Sequence, residues 1–189
     1  MHSITAEESL LLQCLSTTAL LGELSNANFL NSDYFEKLPF ENESLKTIIK
    51  MSGLGNPATM QMMLYALLIV PKELLSRISY DKLETYVARI NPQVCLLVEE
   101  CTYSTFDNED SKEKINYFRH IRNAVAHSKC IYNNENQKNY VEFTDNNSSK
   151  QCSIKIECYK VGLILMELQK LIMEYYNDNH TPINSNKLS

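Results

Sequence analysis

The segment from Ser111 to Lys129, SKEKINYFRHIRNAVAHSK, decides the fold, because it combines a helix start, an apolar stripe and clustered polar side chains. Asp110 or Ser111 is suited to cap the N-terminus of a helix over about residues 111–128. With Asp110 as the cap, the carboxylate of Glu113 can reach back to the exposed amides of the first turn. The segment therefore predicts an amphipathic helix, here called the motif helix.

The motif helix has one apolar and one polar side, since successive residues are about 100° apart on a helix. The apolar side is formed by Tyr117, Phe118, Ile121, Ala124 and Val125. The polar side is formed by Asn116, Arg119, Arg122, Asn123, Ala126 and His127. Arg122 and His127 are about 140° apart and flank this side from opposite edges, which suits a shared substrate better than a mutual bond.

The stretch Arg122-Asn123-Ala124-Val125-Ala126-His127 resembles the R-x(4–6)-H signature of the HEPN superfamily (higher eukaryotes and prokaryotes nucleotide-binding domain). The polar residue directly after the arginine also matches. The resemblance implies an α-helical domain, a homodimer that brings two motif helices together and, frequently, metal-independent cleavage of RNA. It further implies a role as a toxin or phage-defence effector, with a cognate antitoxin as a possible partner.

Arg122 and His127 are the candidate catalytic residues of a single-stranded RNA endoribonuclease that uses the RNA 2′-hydroxyl as nucleophile. His127 would supply a base that titrates near neutral pH, and Arg122 a fixed cation for the phosphate. Asn123, Arg119 and His120 are candidate substrate-binding residues. For His120 the alternative is an ordinary surface position one turn from Asn123.

A catalytically silent module is the alternative for the whole chain, because arginine and histidine are ordinary on the solvent side of an amphipathic helix. Its polar side would bind RNA, a nucleotide or a protein. Some toxins of the family carry a tyrosine two residues after the histidine that a partner enzyme modifies. This chain has Lys129 there, which argues against that form of control.

The charge distribution restricts any nucleic-acid contact to a local site. The net charge of the 189 residues is -5, which excludes a broad basic surface. The segment from Ser111 to Lys129 is nevertheless positive, with Glu113 as its single acid. Its basic residues are Lys112, Lys114, Arg119, Arg122 and Lys129. We therefore expect RNA to be bound at the motif helix.

The fold class predicted is a mainly α-helical bundle with one β-hairpin between the motif helix and the last helix. Only 4 Gly and 5 Pro accompany long Leu-, Ile- and Met-rich periodic segments. Alternating apolar residues predict the hairpin over about residues 139–158, and a long apolar stripe predicts a closing helix over about 159–176. One domain over residues 1–177 and a disordered tail over 178–189 complete the prediction.

Sequence motifs for metals and cofactors are absent, so we predict neither. The six cysteines form no CxxC pair and no zinc-finger spacing. Glu99 and Glu100, adjacent on a predicted helix, point about 100° apart and fit a solvated face better than a metal site. Orientation of Arg122 or His127 by one of them is a further alternative. The longest apolar run ends at Pro71, too short for a membrane span, which predicts a cytoplasmic protein.

Overall fold

The chain is mainly helical, as predicted, in a computed structural model that describes residues 5–75 and 80–179. The helices are α1 (Ala6–Asn26), α2 (Asp33–Lys37), α3 (Glu43–Ser52), α4 (Pro57–Leu64), α5 (Val70–Leu75), α6 (Tyr80–Ala88), α7 (Asn91–Leu97), α8 (Tyr117–Ala126) and α9 (Cys158–Asn179). The strands are β1 (Val98–Ser104), β2 (Cys130–Glu135), β3 (Lys138–Asn147) and β4 (Lys150–Glu157).

Local signals explain how the N-terminal helices begin. Thr5 and Glu8 form a reciprocal capping box at α1, and Asn56 caps α4 with Pro57 in its first turn. A π-helical turn joins α4 to α5, with the Val70 amide donating to the carbonyl of Tyr65. This wider turn lets the helix continue through Pro71, which has no N–H and would clash in a regular turn.

No single helix among the described residues is long and apolar enough to cross a membrane. One pair of helical segments, Glu43–Ser52 and Pro57–Leu74, is long and apolar enough only when taken together, and the chain bends by 81° at the break between them.

The predicted β-hairpin exists as β3 and β4, but it belongs to a four-stranded antiparallel sheet of order β1-β4-β3-β2. Two left-handed residues, Asn136 and Gln137, connect β2 to β3 in a two-residue turn. The prediction of a single hairpin missed β1 and β2, because neither outer strand has a regular alternation of apolar and polar residues. In β1, the pairing with β4 is interrupted by two register shifts, which breaks the period of two on which strand prediction depends.

The closing helix, α9, is longer than predicted at both ends. Its apolar stripe is buried as expected and packs against α6 and the sheet. The buried residues are Val161, Ile164, Leu165, Leu168, Leu171, Ile172, Tyr175 and Tyr176. Asp178 and Asn179, placed by the prediction in the disordered tail, are helical, and residues 180–189 lie outside the described residues.

Candidate active site

The motif helix, α8, begins at Tyr117 rather than at position 111. The side chain of Asn116 caps it by accepting a hydrogen bond from the Arg119 amide at 3.0 Å. Asn91, in α7, fixes this start, since its side chain donates to the carbonyl of Ile115 at 2.8 Å and accepts from the Phe118 amide at 3.2 Å. The predicted cap at 110 or 111 was wrong. Several residues of this segment can cap a helix, and the hydrogen bonds of Asn91 select Asn116.

The C-terminal end of α8 places His127 at the surface. Ser128 is in the left-handed conformation with φ 54°, and its amide donates to the carbonyl of Val125. The amide of Lys129 donates to the carbonyl of Ala124 at 2.8 Å, which completes a Schellman motif. The helix therefore stops directly after Ala126, and His127 is its exposed C-cap residue.

The apolar side of α8 is buried as predicted, but the polar side is narrower than predicted. Asn116, Ala126 and His127 are exposed, whereas His120 and Arg122 are only 1% and 9% exposed. These two residues border the apolar stripe on opposite edges, and acidic residues from neighbouring elements cover both edges. The expectation that Arg122 faces solvent, and the surface alternative for His120, were therefore wrong.

Arg122 is held by a glutamate that no sequence motif marks. Its Nη1 donates to Oε1 of Glu84, in α6, at 2.8 Å, and its guanidinium lies 5.7 Å from the ring centre of Phe118. The side chain of Glu84 is 42% exposed, and that of Arg122 is 11% exposed. The pair thus fixes the arginine next to the exposed sector of α8, which is formed by the partly exposed Asn123 and the exposed Ala126 and His127.

His120 lies between two buried carboxylates. Its Nδ1 is 2.7 Å from Oδ2 of Asp145, in β3, and its Nε2 is 2.6 Å from Oε2 of Glu109. Both ring nitrogens are engaged and the ring is enclosed, with the Phe106 ring tilted against it at 4.6 Å between ring centres. This geometry gives His120 a role in holding the helix in place rather than the predicted contact with phosphate.

Glu109 is the centre of the hydrogen bonds on this side. Oε1 accepts from Nη2 of Arg119 at 2.7 Å and from the amide of Asn116 at 3.3 Å, and Oε2 accepts from the Ser104 hydroxyl at 2.7 Å. Burial raises the pKa of Glu109, but the hydrogen bonds from Ser104 and His120 and the charge of His120 outweigh it and lower the pKa. We name Glu109, His120 and Asp145 the carboxylate–histidine cluster.

The lowered pKa of Glu109 predicts an acid-sensitive fold. A carboxylate with a pKa below its ordinary value of 4.5 stabilises the folded state at higher pH, and this contribution is lost as the pH falls through the folded-state pKa. We expect the free energy of unfolding in urea to decrease below about pH 4.5, and Glu109→Gln to remove part of this decrease. Parallel pH curves for wild type and Glu109→Gln would contradict this origin, and Glu100→Gln is the control.

Asn123 is also held from the sheet. Its Nδ2 donates to Oδ2 of Asp145 at 3.0 Å, so one carboxylate fixes both His120 and the polar residue that follows the motif arginine. Asn123 remains partly exposed. The side-chain oxygen Oδ1 of Asn123 takes no part in this bond, which fixes the orientation of the amide group.

Glu99 and Glu100, considered above as helical carboxylates, lie on β1 instead of a helix. Glu99 pairs with Lys160, and Oε1 of Glu100 lies 3.7 Å from Nζ of Lys155. Neither residue orients Arg122 in this arrangement, because Glu84 does so.

One group of possible metal ligands, invisible to sequence spacing, is brought together by the fold. Ligand atoms of Glu109, His120 and Cys152 all lie within 4.8 Å of one another, and all three residues are buried. They come from a loop, a helix and strand β4, which is why no short motif in the sequence signals the group.

Comparison with protein families places the chain. The family model described as HEPN pEK499 p136 matches residues 5–179. The chain belongs to this HEPN family. The match confirms the resemblance carried by RNAVAH and associates the chain with a nucleotide-related, ribonuclease-type function in general. Searches of curated proteins and of solved structures gave no significant match.

Proposed function

We propose that this HEPN protein is a metal-independent endoribonuclease that cleaves single-stranded RNA at the exposed sector of α8. The observation that carries the proposal is the way the motif is held. Glu84 fixes Arg122, Asp145 fixes Asn123, and the Schellman turn leaves His127 exposed at the end of the same helix. The fold thus fixes two polar groups of the motif and leaves the third accessible to substrate.

The chemistry needs no activated water. His127 accepts the proton of the RNA 2′-hydroxyl, whose oxygen attacks the adjacent phosphorus, and the bond to the 5′-oxygen of the next nucleotide breaks. Arg122 stabilises the negative charge that builds on the phosphate, and Asn123 orients the phosphate or the imidazole. The products are a 2′,3′-cyclic phosphate and a 5′-hydroxyl.

The test is incubation of purified protein with single-stranded RNA in EDTA. We expect cleavage to persist and the new ends to be 2′,3′-cyclic phosphate and 5′-hydroxyl, as read by end-specific labelling and mass spectrometry. If cleavage appeared only after addition of Mg²⁺ or Mn²⁺, or left 5′-phosphate ends, the proposed chemistry would be wrong.

A homodimer supplies the group that one motif lacks. One copy offers a base and a cation, whereas cleavage also needs an acid to protonate the leaving 5′-oxygen. Pairing of two α8 helices across a two-fold axis provides a second His127 for this role. Ala126 is exposed between the motif edges, and its small side chain permits close approach. An antitoxin that covers this exposed sector would block both the dimer and the substrate.

Substitution Ala126→Glu is expected to separate the two copies and abolish cleavage. It places like charges against each other at the axis, while the helix propensity of Glu is close to that of Ala. Light scattering and an RNA cleavage assay measure the two effects. Ala126→Ser, which stays small and neutral, is the matched control and should remain dimeric. A monomeric wild type that cleaves RNA would show that the composite site is wrong.

One observation favours the alternative of a catalytically silent binding module. The side chain of Arg122 is mostly buried and paired with Glu84, so a phosphate must either share or displace that carboxylate. A protein that binds RNA without cleaving it, and whose binding weakens in Arg119→Ala but not in His127→Ala, would establish the binding module.

A further inference from the structure

We propose that Glu109, His120 and Cys152 form a structural zinc site behind the motif helix. One nitrogen, one oxygen and one sulfur ligand converge within 4.8 Å, and each comes from a different segment of the chain. This donor set suits Zn²⁺, which takes imidazole, thiolate and carboxylate ligands, better than Ca²⁺ or Mg²⁺, which prefer oxygen. The site is separate from the exposed sector of α8 and takes no part in the proposed cleavage.

Asp145 gives His120 the arrangement typical of a zinc-bound imidazole. A histidine ligand usually donates its second ring N–H to a carboxylate, which fixes the tautomer and makes the ligand more basic. Here Nδ1 faces Oδ2 of Asp145 at 2.7 Å, so Nδ1 can keep its N–H while Nε2, after losing the hydrogen that it shares with Glu109, directs its lone pair at the metal. The partner of the metal-binding histidine is therefore already in place.

The exchange of protons for zinc balances the charge. Without metal, the 2.6 Å contact between Nε2 of His120 and Oε2 of Glu109 holds one hydrogen, and Cys152 carries its thiol proton. Zinc replaces the proton of this contact and the proton on Sγ, so two protons leave as one Zn²⁺ enters and the net charge is unchanged. Arg119, whose Nη2 lies 3.3 Å from Nε2, is 37% exposed and can turn toward solvent as the ion enters.

Small side-chain movements complete the coordination. Zinc bonds of about 2.0–2.3 Å require the 2.6 Å gap between Nε2 and Oε2 to widen. A water molecule is available for the fourth position. An adjacent groove of about 640 Å³, lined by Glu99, Glu100 and Glu109 among others, gives a cation an acidic entry path.

Cobalt titration tests the site, because Co²⁺ bound to a thiolate has a near-ultraviolet charge-transfer band that Zn²⁺ lacks. We expect the full chain to bind one Co²⁺ with this band, Zn²⁺ to displace it, and about two protons to be released per Zn²⁺ in weakly buffered solution. Cys152→Ser should lose the band, whereas Cys14→Ser, a cysteine of α1, should keep it. Asp145→Asn should weaken Zn²⁺ binding by about 10–100-fold.

The proposal fails if the wild type shows no charge-transfer band or if Cys152→Ser retains it. If Cys152→Ser does not fold, Cys152→Ala replaces it, and folding is checked by circular dichroism before titration. Release of no protons on Zn²⁺ binding would likewise exclude the thiolate of Cys152 as a ligand. A rise in unfolding temperature with Zn²⁺ in wild type and Cys14→Ser, but not in the Cys152 variant, would support the site independently of any RNA cleavage.

Discussion

Replacement of His127 by alanine is expected to reduce RNA cleavage by about 10²–10⁴-fold, the usual contribution of a positioned general base. The folded state should be nearly unaffected, because the side chain is exposed at the C-cap of α8. Initial rates on a labelled single-stranded RNA in EDTA measure the first effect, and urea unfolding measures the second.

One control variant and one further motif variant accompany His127→Ala. Arg89→Ala removes an exposed cation in the turn directly after α6 that pairs with Glu174, and it should leave cleavage unchanged. Arg122→Ala should lose cleavage as well, but with a destabilisation of about 1–3 kcal/mol, because the arginine is packed on Phe118 and bonded to Glu84. Full activity in His127→Ala would refute the mechanism, and unfolding in both variants would assign the motif a structural role.

Replacement of His120 by alanine is expected to destabilise the fold by about 3–5 kcal/mol, the cost of removing one member of a buried charge network. The substitution leaves Glu109 and Asp145 buried without the imidazole between them, and it opens a cavity beside Phe106. The free energy of unfolding in urea is the measurement. His127→Ala, the same substitution on the same helix, is the matched control and should cost little.

If His120→Ala lowered the free energy of unfolding by less than about 1 kcal/mol, water would be replacing the ring at little cost. The carboxylate–histidine cluster would then not be what holds α8 in place. Should this variant fail to fold, His120→Gln tests the same point, because an amide can donate to one carboxylate and accept from Arg119.

Periodicity was sufficient to predict the motif helix, its buried side, the β3–β4 hairpin and the closing helix, because each depends on residues close in sequence. The RNAVAH signature was sufficient for the family. The start of α8 was not predictable, since Asp110, Ser111 and Asn116 are all good caps and Asn91 from another helix decides between them. Strand β1 was not predictable either, because it pairs irregularly with β4, which is distant in sequence.

The partners of the motif were beyond sequence reasoning for the same reason. Glu84, Glu109 and Asp145 lie on three different segments, and nothing in their local sequence distinguishes them from solvated acids. Helical periodicity placed Arg122 and His120 next to the apolar stripe, and residues at such borders become buried or stay exposed according to what packs beside them. Tertiary contacts, rather than helical spacing, determine whether such a residue is buried or exposed.

The ten-residue length of α8 has a consequence for synthesis of the chain. An isolated helix of this length is unstable in water, so α8 depends on contacts made elsewhere. On one edge these contacts come from Asp145, which leaves the ribosome after the motif itself. A nascent chain that ends before Lys138 holds Arg122 and His127 but lacks the strand whose Asp145 binds His120 and Asn123. The proposed site is therefore assembled only late in translation, after β3 has been synthesised.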